Sequence, residues 1–266
     1  MNNLQLYLRL IRFSLRSQLA YRTSFILQTL GQFVVTWMEF VAVWALLNRF
    51  GHIKGWTLAE VCFFYGTVNA TFAIADAISR GFDQFGNMVR SGEFDRLLLR
   101  PRSTVLQLLG QELTLRRAGR FIQAMVVLGI GVAALPHTAT ASNVALFTWT
   151  VATGVCLFLG ILIIQATICF WTVESIEMMN VLTYGGVFTA QYPITIYQDW
   201  LQKLFFYVVP LACVAYIPVL GLLGKNQQMG YGILHIWLAP LAGPLFLLVA
   251  LRIWDFGVRR YCSTGS

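Results

Sequence analysis

Charged residues are scarce in this chain. Asp, Glu, Lys and Arg make up 11% of its 266 residues, against about 25% in soluble domains, which excludes an ordinary water-soluble enzyme. Catalytic motifs are missing as well. No phosphate-binding loop of the GxxxxGK-Ser/Thr type occurs, because Gly224-Lys225-Asn226 lacks both the spacing and the hydroxyl. There is no GxSxG, no HExxH, and only three histidines, His52, His137 and His235. The chain therefore reads as performing no bond chemistry and binding no cofactor of its own. Its five cysteines (Cys62, Cys156, Cys169, Cys213, Cys262) lack metal-ligand spacing, and four lie in apolar runs, where a free thiol behaves as a small hydrophobe. Neither a metal site nor a disulfide is expected. The net charge of +8 does not signal nucleic acid, since the basic residues sit in short segments beside apolar runs. There they set topology and meet anionic headgroups.

Apolar sequence is abundant instead: 58% of residues are hydrophobic and the mean hydropathy is +0.67. A spanning helix needs about 20 mostly apolar residues. Runs at 24–47, 58–78, 119–135, 143–171, 178–191 and 232–254 meet or approach that length, and 200–223 is a further run broken by Pro210, Pro218 and Gly221. The first run follows a long basic stretch with no small-residue cleavage site, so it reads as a retained span. Placing the N-terminus in the cytoplasm with six spans puts fifteen of the nineteen basic residues inside. The other four, Arg49, Lys54, Lys203 and Lys225, fall outside. That asymmetry predicts both termini inside. An even number of crossings then requires 200–223 to enter and return on one side, a backbone tolerated only against protein or a cavity. Counting it as a seventh span would instead put the C-terminal arginines outside. The expected fold is an all-α integral membrane domain over 1–266, with six transmembrane helices, a re-entrant hairpin at 192–224 and an interfacial helix at 1–22. In that first helix Gln5, Arg9, Arg12 and Arg16 form a polar stripe beside Leu4, Leu8, Ile11, Leu15 and Leu19. A basic flank that merely orients the first span fits the same residues. Trp56, Trp149, Trp200 and Trp254 fall near span ends, as interfacial anchors do.

Polar residues inside the spans are functional candidates because they are costly there. Gln28, Gln32, Thr36 and Glu39 share one face of the first span. They read either as the wall of a translocation path or as hydrogen-bonding partners between helices of one subunit. Asp76 and Arg80, four residues apart, are expected to pair with each other. Glu174 and Glu177 form an acidic turn that suits either a second partner contact or a helix N-terminus.

The most informative stretch runs from Arg80 to Arg120 around the loop at 79–118, and it carries eight arginines between apolar runs. Within it, Gly92 and Pro101 delimit about two helical turns. On a helix Phe94, Leu97 and Leu98 make an apolar knob ringed by Glu93, Asp95, Arg96 and Arg100. Such a stub fits a groove in a partner protein, with apolar anchors and a charged rim. A helix lying on lipid is the alternative, and Glu93 and Asp95 argue against it because an anionic surface repels them.

The run Val89-Arg90-Ser91-Gly92-Glu93-Phe94-Asp95-Arg96-Leu97-Leu98-Leu99-Arg100-Pro101 resembles the characteristic segment of the ABC-2 permeases, in particular their six-span branch. Tyr192-Pro193-Ile194, Val209-Pro210 and Ile217-Pro218 fit that branch too. The resemblance implies the membrane half of an ATP-driven exporter in the bacterial cytoplasmic membrane. In such a complex two permeases, identical or related, pair with two ABC ATPase subunits that hold the ATP and Mg. It makes the helix at Glu93, Phe94, Asp95, Arg96, Leu97 and Arg100 the coupling helix that meets the ATPase. It also places the broken hairpin on the extracytoplasmic side. The Glu-Ala-Ala signature of importers does not fit Asp76-Ala77-Ile78 with Gly81, which favours export. The rival reading is an ion-coupled transporter or channel with Glu39 as an intramembrane relay. It lacks the paired broken helices that such folds carry.

Overall fold

The computed structural model describes residues 22–111, 117–135, 140–172, 176–227 and 229–262, with backbone alone for 176–182. The interfacial helix expected at 1–22 lies outside the described residues up to position 21. Among the described residues the fold is helical, with a single isolated bridge between Ile53 and Trp56. Two long helices come first, α1 (Arg22–Phe50) and α2 (Leu58–Ile78). Four short ones follow in the basic loop: α3 (Arg80–Asp83), α4 (Phe85–Arg90), α5 (Glu93–Leu98) and α6 (Thr104–Leu109). Next come α7 (Ala118–Ala134), α8 (Ala141–Ile168) and α9 (Ile176–Ala190). The broken segment supplies α10 (Asp199–Tyr207) and α11 (Ile217–Leu222), and the chain closes with α12 (Ile233–Leu238) and α13 (Ala242–Arg260).

Helices thus occupy the apolar runs, but length does not make all of them spans. Among the described residues four are long and apolar enough to cross a bilayer: α1, α2, α8 and the nearly continuous Ile233–Arg260. The 17 residues of α7 rise only about 25 Å, short of a hydrocarbon core of about 30 Å. The 15 residues of α9 are shorter still. Between α10 and α11 the axis turns by 83°, where Pro210 ends one helix and a π-helical turn, Ala212–Tyr216, opens the next. That bend suits either a broken span or a re-entrant loop.

α2 is the hub. Thr57 and Glu60 close its N-terminus as a capping box, and almost every side chain from Glu60 to Asp76 is buried. A Cβ on Gly66 would stand 2.7 Å from the Leu128 backbone nitrogen, and one on Gly131 would stand 2.9 Å from the Phe63 nitrogen. The two glycines therefore let α2 and α7 pack backbone to backbone, the small-residue contact that membrane helices use. α1 attaches by one stripe only, Thr36, Phe40, Val43 and Leu47. Its other faces expose Leu27, Val34, Val35 and Met38. Two apolar cores result. The larger gathers α1, α2, α8 and the broken hairpin, while the smaller joins the loop helices to the ends of α8 and α13.

Candidate functional site

Gly92 stands in the left-handed region at φ 70°, which glycine adopts without steric cost, and it redirects the chain into α5. The expected two-turn helix is present, but its apolar side does not form the exposed knob anticipated for Phe94, Leu97 and Leu98. Phe94 is 0% exposed and Leu97 is also buried. Phe94 meets Phe85 at 4.9 Å and Tyr261 at 5.0 Å between ring centroids, both edge to face. Trp254 closes on Phe85 at 4.9 Å and on Phe170 at 5.2 Å, and its indole N–H donates to Thr104 Oγ1 at 2.9 Å. Trp254 is therefore no interfacial anchor but the centre of this cluster, and Trp56 is likewise buried. Trp200 is exposed, as an anchor must be. The cluster ties the loop to the C-terminal ends of α8 and α13. What α5 presents outward is Glu93, Arg96, Arg100, Leu98 and the 85% exposed Leu99. Asp95 turns partly inward beside Tyr261, and this carboxylate, after burial itself, pushes the Tyr261 hydroxyl up to about 12. Gln107 Nε2 donates to Leu97 O at 3.2 Å and Arg102 O at 3.1 Å, pinning the turn that follows.

Where the loop meets the spans, a charged knot is buried. The expected Asp76–Arg80 pair gives way to another pairing. Asp76 meets Arg117 at 2.5 Å, and Arg80 reaches Asp83 at 3.6 Å. Arg117 also meets Asp83 at 3.3 Å and donates to the Tyr184 hydroxyl at 3.4 Å. One guanidinium thus holds the end of α2, the short α3 and α9 together. Burial raises the Asp83 carboxyl above the ordinary carboxylate value, with Arg117 and Arg80 working against that rise. Arg120 lies over the Phe72 ring at 5.2 Å. The pattern in sequence marked Arg117 and Arg120 as topology signals only. Their partners lie 34 to 67 positions away along the chain, so no local spacing revealed the knot.

The stripe on α1 divides. Thr36 is buried and donates to the Gln32 carbonyl at 2.9 Å. Glu39 and Gln32 are half-buried, and the exposed Gln28 donates to Ser24 Oγ at 3.0 Å. Glu174 and the Glu177 side chain lie outside the described residues.

At the other end of α2 the hairpin is anchored. The Lys225 ammonium sits 2.7 Å from Glu60 and 4.6 Å from the Trp56 ring centroid. Trp56 Nε1 donates to Thr195 Oγ1 at 3.1 Å.

Comparison with known proteins gives one result. The sequence pattern of a family described as ABC-2 family transporter protein matches residues 33–265. No curated protein and no solved structure matches the chain.

Proposed function

The chain belongs to the ABC-2 family of transporter proteins, and on that premise we propose that it is the membrane subunit of an ATP-driven exporter. In this reading it crosses the bacterial cytoplasmic membrane six times with both termini inside. ATP and Mg bind to separate ABC ATPase subunits, and a second permease, identical or related, completes the transporter. The outward face of α5, carrying Glu93, Arg96, Leu99 and Arg100, receives the ATPase. Phe94 and Leu97 serve from behind, passing displacement of α5 into α8 and α13 through Phe170 and Trp254. The burial of Phe94 among rings from three separate segments is the observation that carries this reading. A helix lying loosely on lipid needs no such lock, whereas a lever that transmits force does.

Three finer assignments accompany it. The exposed Gln28 and the half-buried Gln32 and Glu39 face the second permease across the path, because polar groups turned to lipid are costly. The segment from α10 to α11 re-enters from the outer side and returns. Glu174 and Glu177 offer a second ATPase contact. The family match does not favour the ion-coupled alternative built on Glu39.

Affinity purification from detergent-solubilised membranes tests the proposal. An ABC ATPase is expected to co-purify with the wild-type chain. Charge reversal at Arg96 and Arg100 is expected to weaken that association by about 30-fold or more, the scale of an interface hot spot, without changing the chain's melting temperature. Absence of any ATPase, or full retention by the double variant, would overturn it.

A further inference from the structure

Behind the Asp76–Arg117 pair lies a second polar feature, deeper among the helices. On α2, Tyr65, Asn69 and Asp76 share one face, and Arg117, which caps α7, is followed on that helix by Arg120 and Gln123 at steps of three. Antiparallel packing brings the two rows together, and α9 adds Gln191 just past its end. The Gln191 amide donates to Asn69 Oδ1 at 3.4 Å, and Asn69 donates to the Tyr65 carbonyl at 2.9 Å. Gln123 is 0% exposed and its side chain reaches the Tyr65 hydroxyl, which also donates to the Thr36 carbonyl at 3.2 Å.

This seam is short of hydrogen-bond partners. Oε1 of Gln191 and Nε of Arg120 are buried with no hydrogen bond, and the buried Gln123 amide has only the Tyr65 hydroxyl beside it. Gln191 is 2% exposed and Arg120 is 7% exposed. A buried amide left unpaired is costly in a fully apolar surrounding, and lipid offers no substitute. Apolar residues would pack the same space at lower cost. Buried polar atoms left short of partners along one seam therefore point to occupants that hydrogen-bond, water first among them.

We propose that the seam from Asn69 and Gln123 to Arg120 is a hydrated vestibule for the polar part of the transported molecule, closed at its loop end by the Asp76–Arg117 pair. The pair suits a gate because it is made between elements rather than within one. Arg117 clamps α2, α3 and α9 at once, and any motion of the loop helices that draws Arg117 from Asp76 opens the seam to the side where the ATPase docks. The location of that side rests on the exporter reading, whereas hydration of the seam does not.

Cysteine accessibility in membrane vesicles tests this. In a variant whose five native cysteines are replaced, Gln123→Cys and Gln191→Cys are each treated with a charged, membrane-impermeant methanethiosulfonate. Val127→Cys, one turn along α7 and equally buried, is the dry control. Both seam cysteines are expected to react at least about tenfold faster than the control, the factor that about 1.4 kcal/mol of differential access supplies. Adding Asp76→Asn is expected to accelerate Gln123→Cys further, and the exchange of Asp76→Arg with Arg117→Asp is expected to restore the slower rate. The exchange also guards against a fold lost through one unpaired charge. Seam cysteines that react no faster than Val127→Cys would overturn the vestibule. A Gln123→Cys rate indifferent to Asp76→Asn would overturn the gate. Reaction only from the face opposite the ATPase would contradict the assigned orientation while leaving the seam wet, so the two failures can be told apart.

Discussion

Removing the Phe94 ring leaves a void between Phe85, Phe170 and Tyr261, none of which can collapse into it without moving a helix end. Phe94→Ala is therefore expected to cost about 3–5 kcal/mol, the range for a fully buried aromatic side chain. Thermal denaturation of the purified chain in detergent checks this, and an unchanged melting temperature would show that the ring is not locked. Leu99→Ala, on the exposed side of the same turn, is expected to change the melting temperature little. At this scale the sequence was partly legible. Gly92 and Pro101 marked the helix. Which way Phe94 points was not legible, because the decision lies with Trp254 and Tyr261 at the far end of the chain. Arg117 was hidden for the same reason: its partners belong to three other elements.

The helices carry their own record of what composition can and cannot decide. Apolar runs and their flanking charges located every long helix, since each must bury or face lipid with its whole length. Whether α7 and α9 cross the membrane does not follow from 17 and 15 residues, because tilt, local thinning and partner helices adjust a short span. The contact of α2 with α7 could not be read from Gly66 and Gly131 singly, since a small residue signals close approach only once its partner backbone is known. At the opposite end the hairpin depends on a cation held between a carboxylate and an indole. Lys225→Met removes both the 2.7 Å pair with Glu60 and the contact over Trp56. Its expected cost is about 1.5–3 kcal/mol, the scale of a charged hydrogen bond in a partly buried site. Limited proteolysis should then cut between 223 and 232 more readily, and an unchanged digestion pattern would show that the hairpin is held elsewhere.

For the whole molecule, the two cores divide the labour. The larger core fixes α2, α8 and the hairpin into one body, and the smaller one fastens the loop helices to the ends of α8 and α13. α1 and the final helix keep most of their surface uncovered, which suits lipid and a second permease. Force applied to α5 therefore has a route into the membrane that avoids the loosely attached α1. The central claim is that the outer face of α5 is where another protein's ATP hydrolysis enters this one. Site-specific photo-crosslinking measures it most directly, with a photoreactive residue at Leu99 and, separately, at Phe94 in membranes that contain the ATPase. The account predicts a covalent adduct between the chain and the ATPase from Leu99 and none from Phe94, whose ring lies inside the chain. Crosslinks from Leu99 to lipid alone, with the ATPase present, would contradict it.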